Sequence, residues 1–271
     1  MKHYSEPAKQ IPVVEETDVL VAGGGPAGIA AAIAAARQGC KTILVEQAGD
    51  VGGVATTGMM SHWTGETRGG LYEELLDRSR DDVSQGSRQT INPEKLKNVL
   101  LKMLSEAGVQ IRTYTFASDT ILEDNCVKGI VTESKSGREA IFSKVVIDCT
   151  GDGDVAAKAG AAFYKGREDD GSMQPVTLMF KVAGVNEEQA VYPGSFETNF
   201  PIPGGMIQDL AKEHLTAPAG HVLLYRSTIP GVVTVNMTNC IGVDGTNARE
   251  LSSAHQVCRM QMEEIVDFLR K

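Results

Sequence analysis

Short apolar runs alternate along this chain with small-residue turns and charged stretches, and their spacing predicts an α/β fold. "VLVA", Val19 to Ala22, is a continuous apolar run bounded by Asp18 and by glycine, the pattern of a parallel strand buried on both faces. Gly23, Gly24 and Gly25 end it, and Pro26 suits the first turn of a helix, where its missing N–H costs nothing. The alanines from Ala30 to Ala36 favour helix and let it lie close to a sheet, and Gly39 closes it. "KTILVE", ending at Glu46, is the next strand. The uncharged stretch from Val19 to Ala36 approaches a membrane span in length, but the glycines and the proline interrupt it early, so strand, turn and buried helix is the reading.

Later segments follow the same logic. Asn92, Pro93 and Glu94 predict a helix start, with Leu96, Val99, Leu100, Met103 and Leu104 as its apolar stripe and Gly108 as its end. Val109 to Arg112 is a strand. Polar turns at "EDN" and "SKSG" then divide a run of short strands into a three-stranded meander over about residues 116–143, which delivers the chain to "KVVIDCTG". Residues 161–246 read as mixed strand and loop. A helix follows, with Ser253 and Gln256 as its capping box and Leu251, Ala254, Cys258, Met262, Ile265 and Leu269 on one face. That face would be exposed unless something covers it.

Composition narrows the function classes. The chain has 271 residues, 42% hydrophobic and 23% charged, with a net charge of −9 and no basic run, which disfavours nucleic acid or an anionic membrane as partner. The N-terminus lacks an apolar secretory core, so a cytoplasmic protein is expected. The five cysteines are scattered without a CxxC pair, arguing against a disulfide scaffold or a cysteine zinc site. No HxxxH, HExxH or spaced acid cluster appears, so no metal site is expected.

Gly23, Gly25 and Gly28 stand in GxGxxG spacing between strand and helix. Such glycines make a tight turn, admit a pyrophosphate close to backbone, and bring helix onto strand. Glu46 ends the next strand, where an acid accepts hydrogen bonds from a ribose hydroxyl and repels a 2′-phosphate. NADP is thereby disfavoured, while NAD and the ADP half of FAD both fit. After Glu46 comes "QAGDVGGVATTGMM", whose Gly52–Gly53 pair looks like a loop running along a long cofactor rather than the start of the next Rossmann helix.

"DVLVAGGGPAG … ILVEQAGDVGG" resembles the glutathione-reductase-like flavoproteins, and more narrowly is similar to FAD-dependent oxidoreductases related to the fumarate reductase flavoprotein group. "GGLYEELLDR", "INPEKLKNVLLKMLSEAGVQI", "VVIDCTGDGDVAAKAGAAF" and "VNMTNCIGVDGTNARELSSA" continue the resemblance in order. It implies a Rossmann-like FAD-binding domain with inserted β-meander, residues 1–160, and a mixed α+β cap or substrate domain, residues 161–271. It also implies FAD as cofactor and hydride transfer between an organic small molecule and flavin N5. The implied contacts are Gly23, Gly25, Pro26, Ala27 and Gly28 at the pyrophosphate, and Glu46 with Gln47 at the adenosine ribose. Gly52, Gly53, Val54 and Thr56 would run along the cofactor, Ala117 would lie at the adenine, and Thr150, Gly151 and Asp152 would close over the ADP half. Some relatives link FAD through a His before the glycine pair; Gly49, Asp50 and Val51 stand there, so no covalent link is expected. Family members return from the cap through a further C-terminal segment. A longer protein, a second chain or a homo-oligomer is therefore expected to complete this one.

Two further readings come from the residues. Gly151, Gly153 and Ala156 satisfy GxGxxA after a strand, with Glu168 or Asp169 suitably distant, so a second nucleotide site holding NAD is the alternative enzyme. The segment "GAAFYKGREDDGSMQ" does not, however, read as a strand ending in an acid, and Asp152 and Asp154 also suit helix-capping turns. A non-catalytic FAD-binding module is the rival outside enzymes. In "MMSHWTGETRGG", His62 beside Trp63 is the candidate proton donor.

Overall fold

The structure is a computed structural model describing residues 2–65, 67–81 and 89–271. In chain order it holds β1 (Val13–Ala22), α1 (Pro26–Arg37), β2 (Thr42–Val45), a 3-10 turn at Gly53–Ala55, α2 (Gly70–Ser79) and α3 (Pro93–Ala107). There follow β3 (Gln110–Arg112), β4 (Thr115–Glu123), β5 (Cys126–Ser134), β6 (Gly137–Asp148) and α4 (Asp154–Lys158). The remainder is β7 (Phe180–Ala183), β8 (Pro201–Ile202), β9 (Gly205–Met206), α5 (Ile207–His214), β10 (Leu224–Arg226), β11 (Val232–Val235) and α6 (Ala248–Leu269). These elements form two compact units: residues 1–53 with 97–162, and residues 54–96 with 163–271.

The first unit is built on one six-stranded sheet of order β3-β2-β1-β6-β5-β4. β1 lies between β2 and β6, parallel to both, and the register brings Ala22, Val45 and Asp148 level at the carboxyl ends. In such sheets the crevice beyond those ends is where ligands bind. Leu20, Ile43, Ile130 and Ile141 are fully buried in this unit. Each such side chain contributes about 1.5–3 kcal/mol relative to exposure. On α1, Gly28, Ile29, Ala32 and Ile33 are buried, the stripe that small-residue spacing predicts.

Two differences from the sequence reading stand out here. β1 begins at Val13 rather than Val19, because Glu15 is tied to Arg112 at 3.2 Å and so can sit within a strand. The third meander strand and the "KVVID" run are one strand of the same sheet: β6 pairs antiparallel with β5 over residues 137–142 and parallel with β1 over residues 140–148.

The second unit holds a three-stranded antiparallel sheet, order β10-β11-β7, and a small β8-β9 hairpin. Ile207 and Ala211 of α5, Val233 and Val235 of β11, and Ile265 of α6 share its core. Two buried glutamines replace missing strand partners. Gln208 bonds both N and O of Val222 at 2.8 and 3.0 Å, and Gln261 bonds both N and O of Asn239 at 2.9 Å.

The expected domain boundary at residue 160 differs from this division in one respect: residues 54–96 pack with the second unit. His62 bridges to Thr90 and its ring lies 4.8 Å from that of Tyr225, a long-range contact no local pattern announces. α6 also starts earlier than Ser253. Asn247 accepts from Arg249 N at 3.1 Å while donating to Glu250 at 2.8 Å, a cap satisfying more groups than Ser253 could. Its buried stripe is Ala254, Cys258, Gln261 and Ile265, and Leu251 is exposed. Among the described residues no helix is long and apolar enough to cross a membrane.

Candidate functional site

At the carboxyl end of β1 the chain makes the glycine turn that the spacing predicts, and each glycine answers to a different constraint. Gly23 has φ +101, and a Cβ there would stand 2.1 Å from the carbonyl oxygen of Cys149. A Cβ on Gly28 would stand 1.8 Å from the carbonyl oxygen of Gly23, so helix and strand touch backbone to backbone. Gly25 is different. Its φ of −71 suits any residue, and a Cβ there would meet no protein atom within 4 Å. It caps α1 without a side-chain hydrogen bond, the first turn carries no acid, and Pro26 and Ala27 beside it are exposed. The unsatisfied N–H groups and the positive end of the helix dipole thus face open space, which is what a pyrophosphate requires.

Glu46 closes the cradle on one side. It is buried, its Oε2 accepts from Gly24 N and its Oε1 from Ala48 N, both at 2.7 Å. The carboxylate therefore braces the glycine turn as well as standing where a ribose acceptor is expected, with lone pairs remaining on both oxygens. Gln47 beside it is exposed. The backbone of Glu46 also bonds Arg112 O and Thr115 N at 2.9 Å, which draws the start of β4, with Ala117 two residues on, alongside it.

The Gly52–Gly53 pair packs onto the turn from another direction. Gly52 N donates to Gly24 O at 2.7 Å, and Gly53, at φ +51, leaves 3.0 Å between a would-be Cβ and the Cα of Gly25. Beyond it Val54 is exposed and Thr56 is buried.

After β6, Cys149 N donates to Ala22 O at 2.8 Å, so this strand's exit is joined to that of β1. Burial, and secondarily the Asp148 charge, push the Cys149 thiol up, leaving a packed neutral thiol rather than a nucleophile. Gly151, at φ +99, has open space where a Cβ would be, and Asp152 is exposed. The capping of α4 falls not to Asp152 or Asp154 but to two earlier residues: Thr150 Oγ1 accepts from Asp154 N and Asp148 accepts from Ala156 N, both at 2.9 Å. Burial raises the Asp148 carboxyl, but the hydrogen bonds from Ala156 and Thr150 outweigh it and hold it below the ordinary aspartate value. The second-nucleotide reading lacks its frame. α4 has five residues, and the chain from Ala161 to Met179 contains no strand to carry Glu168 or Asp169 beside β6.

His62 lies in the second unit. It is buried at 7% exposure, and its Nδ1 shares a 2.8 Å hydrogen bond with Ser61 Oγ. It lines a cavity of about 280 Å³ with Tyr192, Tyr225 and Arg226. Trp63 stacks edge-on with Tyr72 at 6.1 Å, a packing role. Among the described residues no cluster of His, Cys, Asp and Glu could hold a metal ion.

Sequence reasoning missed three residues. Tyr114 has φ +54 and is exposed, with its hydroxyl filling the space beside Gly49, so it stands next to Ala48 on the Glu46 side of the cradle. "RTYTFA" gives no local sign of a positive φ. Tyr192 and Arg226 lie in irregular and strand segments far apart in the chain.

A family model described as FAD dependent oxidoreductase matches residues 18–271. The tRNA uridine 5-carboxymethylaminomethyl modification enzyme MnmG of Wolinella succinogenes is 30% identical over 152 residues, covering 49% of this chain and 24% of that protein. Digeranylgeranylglycerophospholipid reductase 1 of Methanococcoides burtonii is 25% identical over 218 residues, covering 69% and 52%. Thus the chain spans about half or less of the length of these curated relatives. A geranylgeranyl bacteriochlorophyll reductase-like protein from Thermoplasma acidophilum shares the fold at TM-score 0.53 and 18% identity, over 91% of this chain and 61% of that one. With the glycine cradle, the acid at the end of β2 and a family match running from Asp18 to the last residue, the chain belongs to the FAD-dependent oxidoreductases.

Proposed function

We propose that this chain holds FAD in the crevice of its first unit and takes part in the oxidation or reduction of a small organic molecule. When bound, FAD supplies hydride chemistry at N5 of its ring. The first turn of α1, opened by Gly25, would hold the pyrophosphate, and Glu46 the adenosine ribose. Gln47, Ala117 and Tyr114 would flank the adenosine half. Gly52 and Gly53 would run along the cofactor, with Thr150, Gly151 and Asp152 on its other side. His62 of the second unit, its Nδ1 hydrogen-bonded to Ser61 Oγ, is a candidate proton-handling group. Five unpaired cysteines support a reducing, cytoplasmic setting.

The observation that carries this reading is the empty volume at Gly25 in a turn where Gly23 and Gly28 have none. The test is an absorbance spectrum of the purified chain, followed by denaturing release of any cofactor. Released FAD is the expected result. A colourless protein that takes up NADH but not added FAD would overturn it.

A further inference from the structure

We propose that Tyr114 is a positioning residue for the cofactor site: its ring, seated against Gly49, holds the loop from Gly49 to Gly53 in its binding shape independently of the cofactor. Tyr114 has φ +54, a conformation that costs free energy in any residue with a Cβ, and it is 73% exposed, so burial does not offset that cost. Two backbone hydrogen bonds keep it there: Tyr114 N donates to Ala48 O at 3.1 Å and Thr115 N to Glu46 O at 2.9 Å. A strained, exposed aromatic residue at the edge of a binding crevice points to a contact that function needs. That contact is Gly49. A Cβ there would stand 2.3 Å from Tyr114 Oη and 2.5 Å from its Cζ. Gly49 is not among the glycines with positive φ, so its backbone suits any residue, and the Tyr114 ring is what requires glycine at this position.

The rest of the loop is held from other elements. Asp50 Oδ2 lies 3.1 Å from Lys97 Nζ on α3, and Val51 is fully buried. Gly52 N donates to Gly24 O at 2.7 Å, and Gly53 packs on the Cα of Gly25. These last two contacts seat the loop on the glycine turn, so the shape of the loop sets one wall of the open volume at Gly25. The Asp50–Lys97 pair is partly exposed and therefore weak, which leaves the Tyr114 ring as the rigid brace at the start of the loop. A loop that samples its binding shape only part of the time binds with its affinity reduced by that fraction, and the loss falls on the association rate. That the loop serves FAD rests on the proposed function above; that Tyr114 holds the loop does not.

The experiment is stopped-flow binding of FAD to the cofactor-free chain and to Tyr114→Gly, Tyr114→Phe and Gly49→Ala, with thermal melting of each protein. Tyr114→Gly removes the ring and relieves the positive φ, so its melting temperature should equal or exceed that of the unsubstituted chain. Its FAD association rate should nevertheless fall by about tenfold, with dissociation unchanged. Gly49→Ala displaces the ring and should reproduce this loss, while Tyr114→Phe keeps the ring and should stay within about twofold. In the Tyr114→Gly background, Gly49→Ala should add less than about a further twofold, because the two changes remove one contact. An unchanged association rate in Tyr114→Gly, a loss confined to dissociation, a lowered melting temperature, or additive losses in the double variant would each overturn the proposal. If the unsubstituted chain takes up no FAD, the proposed function fails, and hydrogen exchange of the Gly52 amide still decides the brace. Faster exchange in Tyr114→Gly than in the unsubstituted chain supports it, and equal exchange overturns it.

Discussion

The Glu46 carboxylate accepts a 2.7 Å hydrogen bond from the backbone N–H of Gly24, tying the end of one strand to the glycine turn after another. A second bond from Ala48 uses its other oxygen. An amide at this position would turn an NH2 toward one of two backbone donors. Glu46→Gln is therefore expected to destabilise the chain by about 1–3 kcal/mol, as an unsatisfied buried donor does. It should also lower FAD retention. Urea melts of the cofactor-free protein, with absorbance of the loaded one, check both; an unchanged melting curve would remove the bracing role.

Gly25 and Gly28 separate ligand space from protein space. Gly28→Ala puts a methyl 1.8 Å from a carbonyl oxygen and should abolish folded, soluble protein. Gly25→Ala meets no protein atom, so its cost to the cofactor-free fold should be no more than about 1 kcal/mol, the loss of a helix-cap preference. Its cost to FAD binding should be about tenfold or more, since the methyl fills the volume assigned to pyrophosphate. Retained FAD affinity in a well-folded Gly25→Ala protein would move the ligand elsewhere.

Asp148 predicts an acid limb in stability. Its carboxyl is held below its ordinary value in the folded chain, so the folded state favours the charged form. That contribution is present above the unfolded value and is lost as pH falls through the lower folded value. Asp148→Asn should lower the melting temperature at neutral pH and flatten the decline below about pH 4. Melting temperatures of both proteins between neutral and acid pH make the comparison. Parallel curves would show that the carboxylate contributes nothing there.

The start of α6 yields a paired comparison. Asn247→Ala removes the acceptor for Arg249 N and should cost about 0.5–2 kcal/mol. Ser253 is exposed within the helix, so Ser253→Ala should be neutral or slightly favourable. Chemical denaturation of both distinguishes the two proposed helix starts.

Capping signals such as Asn247 and Ser253 compete locally, and both precede a Glu or Gln at the right spacing. Which one begins the helix depends on which leaves the chain able to place Ala254, Cys258, Gln261 and Ile265 in the core. β1 shows the same limit. Glu15 and Glu16 mask its first half in sequence, and it becomes strand because β6 offers a partner and Arg112 a counter-charge.

The sequence by itself determined the strand, glycine turn, alanine-rich helix, strand and terminal acid from Val19 to Glu46. Those constraints are local: the sign of φ at Gly23, helix propensity, the missing N–H of Pro26, and apolar runs of strand length. Only the tertiary structure decided that residues 54–96 join the second unit, that β6 serves meander and parallel sheet alike, and that Tyr192 and Arg226 meet in one cavity with His62. Each of these depends on packing between segments distant in the chain, and periodicity carries no record of which surfaces meet.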